Sequence, residues 1–143
     1  MARHSTRGAQ KKKKKKRQGV AAIEFAMVAP IFIFFMLAII VYGGWFWMAH
    51  SVQSLAAESA RSAIAGLDAT ERELLARGVV TSHAQSLGLD PNLVSATVVN
   101  TTNDFKVEVT YDATNHPLMA LAVLIPKPPA QIKRTAVVTL EGY

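Results

Sequence analysis

The longest pattern in the chain is an uninterrupted apolar one. Residues 25–49, FAMVAPIFIFFMLAIIVYGGWFWMA, contain no Asp, Glu, Lys or Arg. At about 1.5 Å per residue a helix of that run is about 37 Å long. The hydrocarbon core of a bilayer is about 30 Å thick, so the run can cross it with some tilt. It exceeds the apolar core of a secretory signal, about 7–15 residues. A single transmembrane helix over residues 20–49 is the expected element. Tyr42, Trp45 and Trp47 gather at its far end, where amphipathic rings favour the membrane–water interface. Pro30 removes the helical partner of the Ala26 carbonyl and is expected to kink or loosen the helix. Gly43-Gly44 is a second soft point.

The pattern then changes twice. Residues 50–66, HSVQSLAAESARSAIAG, keep helical spacing and predict a stalk. Val52, Leu55, Ser59 and Ala63 fall on one stripe, with Ala56, Ala60 and Ile64 beside it. Small residues at this spacing let helices approach closely. Two readings stay open: the stripe packs on its own outer domain, or on a second subunit. Residues 67–143 predict a small α+β domain. A second helix should start at Asp68 or Thr70, since Asp68 with Glu71, or Thr70 with Glu73, has capping-box spacing. It should run to about Leu87, with Gly88 as its end. Leu93 to Val99 is β-rich, and Asn100 to Asp104 reads as a turn. Phe105, Val107, Val109 and Tyr111 then alternate with Lys106, Glu108, Thr110 and Asp112, which predicts a strand with one buried face. Gln131 to Leu140 reads as a third strand. The segment Leu118 to Ile125 is too short to span a membrane again. It fits a buried helical turn, a strand, or a surface against membrane or partner. The expected fold is α+β: a long transmembrane helix continuing into a stalk, a short helix and a small antiparallel sheet.

Charge sharpens the picture at one end. Nine of the 16 Lys and Arg precede Val20, and no acid does. From Val20 onward there are 7 basic and 10 acidic residues. The basic character therefore belongs to the leader, residues 1–19, and not to a folded surface, which argues against a nucleic-acid-binding domain. The block Lys11, Lys12, Lys13, Lys14, Lys15, Lys16 and Arg17 beside an apolar helix is a topology signal and a contact for anionic lipid. It places the N-terminus in the cytoplasm and the remainder outside, in a single pass. The leader lacks apolar periodicity and should be disordered in isolation. The chain has no cysteine, which removes disulfides, thiol catalysis and thiolate metal sites.

Glu24 interrupts this scheme. A carboxylate drawn to the centre of a membrane costs about 3 kcal/mol, and less near the interface. It snorkels toward the lysines, is protonated, or serves a partner that needs an acid. Its surroundings, Gly19-Val20-Ala21-Ala22-Ile23-Glu24-Phe25, resemble a type IV prepilin processing site of the Flp/Tad variant. In that variant a peptidase cuts after Gly, and Glu is fifth in the mature chain. The longer string RQGVAAIEFAMVAPIFIFF is similar to the start of TadE-like proteins, with Gly19, Ile23, Glu24, Phe25, Ala26, Val28 and Pro30 at the matching positions.

The resemblance implies a pseudopilin or minor pilin of the tight-adherence (Tad, type IVc) pilus, of pilin-like fold, anchored in the bacterial inner membrane with a periplasmic C-terminal domain. It implies cleavage between Gly19 and Val20, and a structural or priming role in the assembly of the pilus or a related secretion machine. The implied partners are a prepilin peptidase, the major pilin, other pseudopilins, the inner-membrane assembly platform and membrane lipid. No cofactor is implied. Glu24 and Phe25 would act in subunit register: cleavage creates an α-amine on Val20, and a neighbouring subunit's Glu24 would neutralise it.

No pattern of enzyme chemistry accompanies these features. His4, His50, His83 and His116 are scattered, without metalloprotease spacing. No glycine-rich phosphate loop or nucleophile elbow occurs. Asp104, Glu108 and Asp112 read as a solvated face. Two rival readings stay open. One is an uncleaved signal-anchored envelope protein whose outer domain binds a ligand or partner, with Glu24 incidental. The other is a membrane-tethered binder of nucleic acid through Lys11–Lys16, with steep salt dependence.

Overall fold

The computed structural model describes the backbone of residues 6–140 and the side chains of residues 19–140. The backbone divides into two units, Met1–Leu37 and Ala38–Tyr143. Helix α1, Thr6–Ala63, contributes to both.

In the first unit the helix begins at Thr6, inside the leader for which sequence reasoning expects disorder in isolation. Lys, Arg and Gln are good helix formers. Extending an existing helix also avoids the cost of nucleation, which an isolated leader would bear. Pro30 lies within the helix without a break in its assignment. The apolar side chains here are open: Val20, Ile23, Phe25, Met27, Ile31, Phe32 and Phe35 are all exposed. Gly19–Ala63 includes a stretch long and apolar enough to cross a membrane.

The second unit is α+β. Helix α2 spans Ala69–His83 and strand β1 Val94–Asn100. Strand β2 spans Asp104–Asp112, helix α3 Pro117–Leu121 and strand β3 Gln131–Thr139. The three strands form an antiparallel sheet in the order β1-β2-β3. The β1–β2 hairpin turns over Thr101–Asn103, closed by the Thr101 N–H donating to the Asp104 carbonyl at 2.8 Å. Opposite Phe105 stand Asn100 on one side and Val138 on the other.

The alternation on β2 sets the core. Phe105, Val107, Val109 and Tyr111 are buried, together with Ala96 of β1 and Ile132 of β3. They pack in one cluster with Met48, Val52, Leu55, Ala56, Ala60 and Ala63 of α1 and with Ala76 and Val80 of α2. The stripe of small residues thus serves the chain's own sheet. Alanines keep the helix close to it, and Ser59 sits fully buried among them. Ile64 departs from the expected flank and is exposed, because α1 ends at Ala63.

Local signals place the remaining elements. The Asp68 carboxylate caps α2 by accepting from the Glu71 N–H at 2.8 Å, and Glu71 reaches back to the Leu67 N–H at 2.9 Å. The tight connection before it needs Gly66, where a Cβ would stand 2.7 Å from the Arg72 nitrogen. Helix α2 stops at His83 and not near Leu87. Residues Gln85–Leu87 form a separate turn of 3-10 helix, closed by Gly88 at φ 74°, a left-handed conformation that glycine adopts without steric cost.

Candidate functional site

The sequence-derived candidates all lie on α1. Lys11, Lys12, Lys13, Lys14, Lys15, Lys16 and Arg17 are on helical backbone, and their side chains lie outside the described residues. His4 also lies outside them. At Gly19 a Cβ would meet nothing within 4 Å. Among the described residues there is therefore no packing reason for a glycine there, although glycine costs about 1 kcal/mol relative to alanine in a helix. Val20 is exposed beside it. Glu24 is exposed one turn on, and among the described residues it has no salt-bridge partner. Phe25 is 73% exposed. The five residues from Val20 to Glu24 thus offer an acid and an apolar face, with nothing from the described part of the chain to satisfy either.

Tyr42 and Trp45, expected as interfacial anchors, also bond to the chain itself. The Tyr42 hydroxyl donates to the Pro126 carbonyl at 3.0 Å, and the Trp45 indole N–H donates to the Pro129 carbonyl at 2.8 Å. Trp47 and Phe46 remain exposed. Val41 is buried against Ala122 and Ile125, with Ala38 and Tyr42 beside them. A Cβ on Gly44 would overlap the Leu118 side chain. The outer part of the charge-free run is therefore packed on one side by the chain's own 117–130 segment. Sequence reasoning missed these contacts. Their one legible sign is the proline group Pro126, Pro128 and Pro129, whose carbonyls belong to no strand ladder.

The outer unit offers little convergent chemistry. His50, His83 and His116 stand on different elements, and among the described residues no group of acids and histidines is placed to hold a metal. A groove of about 300 Å³ between α2 and β1 is lined by Arg77, Val80, Thr81, Val94, Ser95, Ala96 and Thr97. Its one cation, Arg77, pairs with Glu73. Glu108 pairs with Lys133 at 2.7 Å on the open face of the sheet. Asp104 departs from the solvated face expected of it, since its Oδ1 is buried without a partner. Asp112 accepts from the Thr114 N–H at 2.9 Å and from the Thr114 hydroxyl. These bonds hold its carboxyl below the ordinary 3.8.

The family comparison falls on the same helix. Residues 19–61 match the family described as TadE-like protein, and the match begins at Gly19. No curated protein and no solved structure matches the chain. TadE-like proteins are pilus-associated structural proteins. The likeness to that family is confined to helix α1, over residues 19–61.

Proposed function

We propose that the chain is a minor pilin or pseudopilin of a Tad-type pilus or related secretion machine, acting as a structural or priming subunit. It is inserted once in the bacterial inner membrane, with the basic leader in the cytoplasm and the outer unit in the periplasm. A prepilin peptidase cuts between Gly19 and Val20. The major pilin, companion pseudopilins and the inner-membrane platform are its partners.

The observation that carries this reading is the exposed Glu24 on a helix whose family match starts at the proposed cut. An exposed acid beside an apolar face is a poor design for an isolated membrane helix. It becomes useful when a partner supplies a cation. The α-amine freed on Val20 is such a cation, and a neighbour's Glu24 can reach it only at one helical stagger. An unpaired charge in low dielectric is disfavoured, so the pair selects register even when its net stabilisation is small. Gly19 is compatible with the same reading, since a Cβ there would meet nothing among the described residues.

The test is complementation of a strain lacking this protein. Glu24→Gln should abolish or sharply reduce pilus assembly while membrane insertion and the fold of the outer unit persist. Glu24→Asp should restore part of the activity. Full assembly with Glu24→Gln would make the acid incidental and favour the signal-anchored envelope protein.

A further inference from the structure

We propose that the loop around α3 is a second membrane contact, in which Leu121, Val123 and Leu124 enter the acyl region of the outer leaflet beside the helix. The proposal rests on reading α1 as a membrane span. The three side chains are 46%, 79% and 67% exposed, although they flank residues that are well packed. Ala122 and Ile125 are buried against Val41, with Ala38 and Tyr42 beside them. This fixes the loop at the level of residues 38–42 of the helix, where Ile39 and Ile40 are exposed too. About 20 apolar residues cross the hydrocarbon core. Counted along the sequence from Phe25, that length ends near Gly44, so residues 38–42, which the loop packs against, belong to the outer end of the apolar run.

Part of the backbone around the loop is satisfied within the protein. Polar backbone groups in hydrocarbon must find partners within the protein. Pro126, Pro128 and Pro129 have no N–H to satisfy. The carbonyls of Pro126 and Pro129 are taken by Tyr42 and Trp45. Within α3 the Met119 N–H donates to the His116 carbonyl at 2.8 Å. Charge agrees as well. From Ala113 to Leu140 there is no acid, while Lys127, Lys133 and Arg134 are present. Lys127 is exposed directly after the apolar group, placed to reach anionic headgroups.

The chain has no native cysteine, so single-cysteine variants report one position each. The full chain carrying Val123→Cys is labelled with an environment-sensitive fluorophore and reconstituted in phosphatidylethanolamine/phosphatidylglycerol vesicles with doxyl-labelled lipid. Ile31→Cys marks the span, and Thr102→Cys marks the hairpin turn. The expected result is that the label at 123 is quenched by doxyl lipid and shielded from aqueous iodide, as at 31. The label at 102 should behave in the opposite way. Quenching by lipid at 31 with free access of iodide at 123 would overturn the loop contact and leave the span intact. Absence of lipid quenching at 31 would overturn the span, and the loop contact with it. Shielding at 123 that disappears as protein is diluted into lipid would assign the patch to a second subunit and overturn the proposal.

Discussion

At the residue scale, two polar side chains stand in surroundings that do not serve them, and they differ in kind. Glu24 is exposed on an apolar helix, where another molecule can supply what it lacks. Ser59 is fully buried, and its hydroxyl has no hydrogen-bond partner among the described residues. A buried hydroxyl without a partner is destabilising, so its value lies in its size: it lets α1 lie close to the sheet. Ser59→Ala should therefore be neutral or stabilising by up to about 1–3 kcal/mol. Ser59→Leu should cost about 1–3 kcal/mol through overpacking. Chemical denaturation of the two variants checks both signs, and a marked loss with Ser59→Ala would mean the hydroxyl is bonded after all. Asp112 gives a titration counterpart. Its carboxyl is held low by the Thr114 hydroxyl and N–H. A depressed folded value contributes stability above the unfolded value, lost as pH falls through the folded one. The Asp112 carboxyl should thus titrate below 3.8 by NMR, and Thr114→Ala should move it upward.

At the element scale, local signals were legible and contacts distant in sequence were not. The period of two along Phe105 to Tyr111 identified β2 and its buried face. Capping-box spacing left two starts open for α2, and the structure takes the one in which Asp68 and Glu71 act through the backbone of the same turn. Asp68→Ala should accordingly cost about 1 kcal/mol, measured as a lowered unfolding midpoint with an unchanged slope. Composition describes the leader in isolation and not as the extension of a helix already formed. The segment from Leu118 to Ile125 left three readings open for a similar reason. Its eight residues carry no decisive period, and its conformation depends on Val41 and on two aromatic donors about 80 residues earlier. The aromatic cluster reads from composition as an interfacial belt, and two of its members also donate to proline carbonyls. Hydrogen-bond accounting of the proline carbonyls was the missing step.

At the scale of the whole molecule, the outer unit explains its own stability and the first unit does not. The sheet buries its apolar face on α1 and α2, and Phe105 at its centre is fully buried, worth about 1.5–3 kcal/mol by transfer alone. The segment from Val20 to Met36 leaves its large apolar side chains open. Such a surface requires lipid or other helices, and the family match over residues 19–61 falls on the same helix. The match ends before the sheet begins, so the candidate site was legible in sequence to the degree that it lies in one short motif. Whether that motif is used is a covalent question with a direct readout: the intact mass and N-terminal peptide of the protein purified from its native membrane. The account predicts a chain beginning at Val20, with or without an added methyl group on its amine. A chain that retains Lys11 to Arg17 in cells with an active prepilin peptidase would contradict it, and would leave Glu24 without the amine on which the proposed register depends.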